Sequence, residues 1–175
     1  MGGSARSLAG GRLTVAASRG ITIRHAGRSD LPALVAIERA SFSDPWSVES
    51  FASALTMDRM RVLVAEETTS GLGGAERILL GYVLALVLGH EAEIADLAVA
   101  PSARRRGIGR RLIERILEDV ESRGVDSVFL EVRESNVGAR ALYATQGFAA
   151  VGRRPGYYRH PSEDALLLKR EFAPT

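Results

Sequence analysis

The run Arg104-Arg105-Arg106-Gly107-Ile108-Gly109 sets three guanidinium groups and two glycines within six residues, directly ahead of the amphipathic pattern Ile108, Leu112, Ile116, Val120. Before it lies an apolar, strand-like stretch, Ile94 to Val99, that stops at Pro101. A strand that ends in a glycine-spaced turn and opens into a helix is a way to hold phosphate. Successive backbone N–H groups point at the anion, the helix dipole adds partial positive charge, and glycine lets the backbone come close. A solvated helix start is the plainer reading of the arginines. Three cations at a helix N-terminus, however, oppose the dipole unless an anion is present. The spacing points to a ligand carrying a pyrophosphate.

Composition narrows which ligand and which chemistry. The chain has no cysteine, which excludes disulfides, thiolate zinc sites and a cysteine acyl-enzyme. His25, His90 and His160 are scattered without metal-ligand spacing, so no metal is expected. The only lysine is Lys169, far from the glycines, which excludes a Walker phosphate loop. A Rossmann dinucleotide site is disfavoured as well. Only two of its three glycines are present, the motif is central rather than first, and only one helix remains beyond Glu131.

Apolar residues make up 46% and charged residues 25%, the balance of a globular chain. The longest apolar stretch, Ile78 to Leu88, is shorter than the ~20 residues that span a bilayer, so no membrane partner is expected. Arg6, Arg12 and Arg19 stand in an acid-free, Gly- and Ser-rich segment, residues 1–20, expected to be a disordered extension. Without those three charges the formal +2 becomes −1, so a nucleic-acid-binding body is not indicated. A cytoplasmic location fits the lack of cysteine and of a secretory apolar run.

The elements that must position the turn can be read from periodicity. Ile21 to Arg24 alternates like a strand. Asp30 and Pro32 start a helix to Phe42, and Ser47 caps a second to about Leu55, with Glu49 and Glu67 read as solvated. Arg61 to Glu67 reads as a strand, 68–74 as a turn, and Ile78 to Leu88 and Glu93 to Val99 as antiparallel neighbours. The helix from about Gly107 to Arg123 is closed by Gly124, and Ser127 to Val132 is the next strand. That strand–helix–strand unit predicts a parallel pair with a right-handed crossover. Asn136 caps a helix to Gln146. Phe148 to Gly152 and Ala165 to Phe172 read as final strands joined by a Pro/Gly/Tyr-rich loop. The expected class is mixed α/β, one domain over 21–175.

Four local signals combine. Arg104 to Gly109 fits R/Q-x-x-G-x-G/A after Leu97-Ala98-Val99-x-Pro101; then come Leu130-Glu131-Val132-Arg133 with Ser135-Asn136, Leu142-Tyr143, and Gly147-Phe148. Together they resemble the Gcn5-related N-acetyltransferase (GNAT) superfamily over residues 21–172. Pro45-Trp46-Ser47, Arg153-Arg154-x-x-Tyr157-Tyr158 and Glu163-Asp164-Ala165 make the likeness closer to its group of ribosomal-protein alanine N-acetyltransferases.

The resemblance implies a GNAT fold, a mixed sheet splayed between the parallel strands 93–99 and 127–133, with helices on both faces and acetyl-CoA across the split. It assigns the pyrophosphate to Arg104, Arg105, Arg106, Gly107, Ile108 and Gly109, and the pantetheine arm to backbone groups of Leu97, Ala98 and Val99. Asn136 would reach CoA besides capping its helix; the cap alone also explains it. Glu131 is implied as general base through a water, its carboxyl buried beside apolar strands, and Tyr143 as the acid for the departing thiolate. A salt-bridged or surface glutamate and a packing tyrosine are the plainer readings. Trp46, Tyr157 and Tyr158 would wall a peptide groove, or simply pack half-buried. Glu91, Glu93 and Asp96 are candidates to favour a basic peptide.

The implied partner is a protein N-terminus, the alanine of the eighteenth small-subunit ribosomal protein, acetylated by direct transfer. Broader protein or small-amine specificity, or a non-catalytic acyl-CoA sensor, are the alternatives; an intact Glu131 and Tyr143 favour catalysis.

Overall fold

Hydrophobic periodicity resolves into seven strands and four helices in the computed structural model, which describes residues 19–71 and 74–173. In chain order they are β1 (Arg19–His25), α1 (Leu31–Ser41), α2 (Val48–Ala54), β2 (Met60–Gly71), β3 (Gly74–Leu88), β4 (Glu91–Val99), α3 (Ile108–Glu121), β5 (Ser127–Arg133), α4 (Val137–Thr145), β6 (Ala149–Arg159) and β7 (Ser162–Glu171). The strands form one sheet in the order β1-β2-β3-β4-β5-β7-β6, antiparallel throughout except for the parallel β4/β5 pair. This is the splayed GNAT architecture expected from the motifs.

Each face of the sheet has its own core. α3 buries Ile108, Leu112, Ile113, Ile116, Leu117 and Val120, one stripe at helical spacing, against Leu63, Val83, Ile94, Val128 and Leu130. On the opposite face α1 and α2 pack Leu34, Ile37 and Phe51 against Val62, Val64, Tyr82, Leu84 and Ala98. The middle of β3, Leu80 to Ala85, is covered on both sides, which is why it reads as a continuous apolar run.

Several boundaries differ from the sequence reading. Arg19 and Gly20 already belong to β1, and the remainder of the expected extension lies outside the described residues. β2 continues to Gly71 and β3 begins at Gly74, so most of the turn expected over 68–74 is strand. The Pro/Gly/Tyr-rich loop is strand too: β6 runs to Arg159. Its register to β7 breaks between Arg154 and Tyr158, where Pro155 lacks an N–H to donate and Gly156 has φ +60°. Asp30 does not cap α1 with its side chain. Its carboxylate accepts the Gly27 N–H at 2.8 Å and pairs with Arg24 at 2.8 Å, closing the short 3₁₀ turn before the helix. Glu67 is buried rather than solvated, paired with Arg106. Among the described residues no helix is long and apolar enough to cross a membrane.

The feature that positions the site is a bulge. Leu84 faces Asp96 and Ala85 faces Ile94, leaving Ala95 as an extra residue in β4. A bulge bends its strand and sharpens the local twist. Directly there the β4/β5 ladder, which runs from Glu91↔Ser127 to Ile94↔Leu130, stops. β5 stays paired to β7 as far as Arg133↔Ala165, so the two parallel strands part and leave an opening. The other side of bent β4 is clamped to β3 at Gly81. A Cβ there would lie 2.6 Å from the Ala98 carbonyl oxygen and 3.3 Å from Leu112. Gly81→Ala is therefore expected to lower unfolding stability by about 1–3 kcal/mol, as overpacking against backbone does, measured by urea denaturation.

Candidate active site

Strand alternation decides which backbone groups face the opening. The Ala100 N–H donates to Leu80 O on β3 at 2.8 Å. Counting back by the period of two, Leu97 and Val99 turn their N–H and C=O groups away from β3, toward the gap. The Val99 carbonyl indeed accepts the Arg104 guanidinium at 3.3 Å. Ala98 points its small side chain into the α1/α2 core.

After β4 the chain makes a 3₁₀ turn at Pro101–Ala103, with Ala103 buried, and then two left-handed residues, Arg105 (φ +62°) and Gly107 (φ +75°). Gly107 is the N-cap of α3 and supplies no side-chain cap. The Arg111 N–H bonds to the Gly107 carbonyl, so N–H groups ahead of it have no acceptor within the helix. The three arginines are not equivalent. Arg106 is held by Glu67 at 2.5 Å, whereas Arg104 and Arg105 are exposed and make no ion pair among the described residues. Gly109 faces Leu142 of α4, and Ile108 is buried as the first core residue of α3. Asn136 accepts the Ala139 N–H at 3.1 Å as the N-cap of α4.

Glu131 is the first β5 residue past the end of the β4 ladder, with its side chain 11% exposed. It is not a carboxyl among apolar strands, as expected, because the Arg154 Nε lies 2.7 Å from its Oε1. A hydrogen bond to Glu131, then burial, pushes the Tyr157 hydroxyl up to about 12. A cavity of about 250 Å³ opens beside Glu131, bounded by Glu93, Phe129 and Arg154. Tyr143, on α4, is buried with its ring 5.8 Å from Phe148. Burial, then the charges of Asp96 and Tyr158, hold its proton more firmly than usual.

The segments carrying Trp46, Tyr157 and Tyr158 are linked across the chain. The Ser43 hydroxyl donates to the His160 carbonyl at 2.9 Å, joining the α1–α2 loop to the β6–β7 turn. Tyr157 and Tyr158 meet edge to face at 5.1 Å, and the Arg133 guanidinium covers the Tyr158 ring at 4.1 Å. Arg133 also donates to the Pro161 and His160 carbonyls and to Glu163, fixing that turn. Trp46 is half-buried, its ring 5.6 Å from Phe51 and its N–H bonded to Glu38 at 2.7 Å. Glu91 and Glu93 are exposed, but Asp96 turns inward toward Tyr82 and Glu38. Glu38 and Tyr82 were not singled out from the sequence. The available signal was an acid four residues after Leu34, on the apolar face of its helix, and a lone hydroxyl inside the run 78–88.

Among the described residues no group of three or more His, Cys, Asp or Glu side chains could hold a metal ion. The residues at the opening suit a long, anionic thioester: the Val99 amide turned to the gap, N–H groups without a helical acceptor at the start of α3, and the exposed guanidinium groups of Arg104 and Arg105. The model of the acetyltransferase (GNAT) family matches residues 31–148. The chain belongs to that family.

Among similar proteins, the ribosomal protein bS18-alanine N-acetyltransferase of Escherichia coli K12 is 36% identical over 84% of this chain and 95% of its own length. The N-alpha-acetyltransferase RimI of Mycobacterium tuberculosis is 35% identical over 86% of this chain and 92% of its own. The crystal structure of the E. coli ribosomal-protein-S18-alanine N-acetyltransferase superposes with a TM-score of 0.77 at 32% identity, covering 89% of this chain and 96% of that one.

As a GNAT enzyme this chain is an acetyl-CoA-dependent N-acetyltransferase. The Glu131–Tyr157 contact has a direct spectroscopic consequence. In Glu131→Gln the Tyr157 phenol faces a neutral amide oxygen in place of a carboxylate, while Arg154 remains. Its titration, followed by phenolate absorbance against a Tyr157→Phe control, is expected to fall from about 12 toward the ordinary 10.0.

Proposed function

We propose that this N-acetyltransferase moves the acetyl group of acetyl-CoA onto the α-amine of the N-terminal alanine of ribosomal protein bS18, in the cytoplasm. The observation that carries the reading is the parting of β4 from β5 after Ile94↔Leu130, with Glu131 at its rim and the Leu97 carbonyl and Val99 amide turned to the gap. The relatives named for that substrate, which match nearly the whole described chain, supply the acceptor.

Acetyl-CoA supplies an activated acyl carbon and a thiolate leaving group. Leu97 and Val99 pair with its pantetheine arm as an added strand would, and the Val99 N–H or a neighbouring amide takes the developing oxyanion. The N–H groups over 104–109 take the pyrophosphate, and Arg104 and Arg105 take the remaining phosphate charge. Asn136 adds a polar contact from the start of α4. Glu131 accepts, through a water, the proton that the amine loses as its nitrogen attacks the acyl carbon. The C–S bond then breaks, and Tyr143 gives its proton to the sulfur. The phenol is protonated at neutral pH and so carries the proton to give. With no cysteine in the chain, direct transfer in a ternary complex is the natural course.

Trp46, Tyr157 and Tyr158 wall the acceptor groove. The Ser43–His160 bridge ties its two loops together, which favours an acceptor that enters by its chain end. An α-amine, with a pKa of about 8, needs only modest base assistance.

Turnover read as free CoA thiol tests this, using a peptide beginning Ala-Arg, its N-terminally blocked copy and a lysine-only peptide. Activity confined to the free alanine peptide is expected. Equal activity on the lysine peptide, or none on any, rules out this specificity. Glu131→Gln and Tyr143→Phe are each expected to lower kcat by about 10²–10⁴-fold with little change in acetyl-CoA affinity, as loss of a proton-transfer group does.

A further inference from the structure

Three polar side chains at the opening take no part in the chemistry above. Asp96 follows the bulged Ala95 on β4, Tyr82 lies on the same sheet face of β3, and Glu38 comes from α1. Tyr82 and Glu38 are buried at 0% and 1% exposure. The Tyr82 hydroxyl donates to Glu38 Oε2 and lies 3.0 Å from Asp96 Oδ2. Glu38 Oε1 accepts the Trp46 N–H, and Asp96 Oδ1 accepts the Leu97 N–H, each at 2.7 Å. One continuous path therefore joins the loop carrying Trp46 to an amide on the open edge of β4.

A proton count bears on the state of this path. A tyrosine hydroxyl has a single proton, and the Tyr82 hydroxyl faces acceptor oxygens of both Glu38 and Asp96. It cannot satisfy both carboxylates at once, so the cluster favours one further proton shared between the two acids. Among the described residues no arginine, lysine or histidine pairs with either acid, unlike Glu131 with its Arg154. Two carboxyls, Glu38 buried and Asp96 half-buried, facing one hydroxyl without a cation cannot both ionise cheaply. Burial, then the charge of Glu38, accordingly pushes Asp96 up to about 8. The titratable groups acting on Asp96 or feeling its charge are Glu38 on α1, Tyr82 on β3, Tyr143 on α4 and Tyr158 on β6.

We propose that Asp96 is a positioning residue for the acyl transfer: as a neutral acid it bridges the Leu97 amide at the strand opening to Tyr82 and Glu38, and through them to the Trp46 loop. The proposal rests on the acetyltransferase reading for its consequence and on the hydrogen-bond path for its chemistry. Ionising Asp96 sets a second negative charge against Glu38, breaks the link to Tyr82 and places charge beside the amide that meets the thioester.

Asp96→Asn keeps the shape and a donor without an ionisable proton, so it separates the two states. In the wild type the folded chain holds this proton up to about pH 8 while the unfolded chain releases it near 3.8. Stability from this group therefore declines as pH rises through that window and levels above it. The gap in Tm between Asp96→Asn and wild type is expected to widen from pH 4 to pH 8 and then stay constant. Acetyl-CoA affinity by calorimetry should weaken in the wild type above pH 8 and stay level in Asp96→Asn. On the alanine peptide, kcat of Asp96→Asn should lack the alkaline decline of the wild type. A Tm gap independent of pH overturns the protonated state, and parallel affinity profiles overturn the positioning role. Both readouts hold whether or not the alanine peptide proves to be the acceptor, so the failure of that reading would be seen separately in the turnover arm.

Discussion

Everything at the site follows from one irregularity in a ladder of hydrogen bonds. The extra residue Ala95 bends β4 just where its pairing to β5 ends, and two parallel strands that would otherwise zip together diverge. Sheet edges exposed in this way carry unpaired N–H and C=O groups, normally a hazard for a soluble fold. Here the exposed length is short, since β4 ends at Val99, and it lies between two layers of helices. Gly81 makes the bend possible from the other side, because only a residue without Cβ lets β3 follow β4 so closely. The same bend delivers the chain at Pro101 to the start of α3, so the strand edge and the phosphate-type turn are consecutive parts of one feature.

Much of this was legible in the sequence because the residues that make it are local. The glycines and arginines of 104–109, the stripe of α3 and the order strand–helix–strand fix the turn, the helix and the parallel neighbour without knowledge of the rest. The closing strands were misjudged for an equally physical reason. Pro155 and Gly156 are turn residues in isolation, but pairing to β7 on either side carries them along as an irregular part of β6. Glu67 looked solvated because nothing local reveals that Arg106, 39 residues later, comes back to meet it. The partner of Glu131 was hidden in the same way: Arg154 reaches it across β7, from the far strand of the sheet.

Arginine is the residue by which this chain settles its acids. Arg24 spans Asp30 and Glu66 with one guanidinium, and Arg61 holds Asp119 between β2 and α3. A planar fork with several donors can satisfy two acceptors at once, which a lysine ammonium does less rigidly. Asp30 and Asp119 are both held below the usual carboxylate range. In Asp30 the bond from Arg24 outweighs burial; in Asp119 burial is the largest influence, but Arg61 with its neighbours overcomes it. Arg104 and Arg105 make no such pair among the described residues, and they lie beside a helix start without a side-chain cap.

The two sides of the opening solve the problem of a buried acid differently, and the difference suits their tasks. On the β5 side the Arg154 guanidinium pairs with Glu131 at 2.7 Å. On the β4 side no arginine, lysine or histidine among the described residues pairs with Glu38 or Asp96, and the Tyr82 hydroxyl lies between them instead. A charged base close to the thioester is useful only if the strand edge that holds the acyl oxygen is not itself negative, because a developing oxyanion needs donors around it. A neutral Asp96 satisfies that condition while still tying β4 to the helix layer. In the proposed mechanism an arginine-paired Glu131 and a neutral Asp96 would face each other across the gap, and the bulge at Ala95 is what sets the two at the same opening.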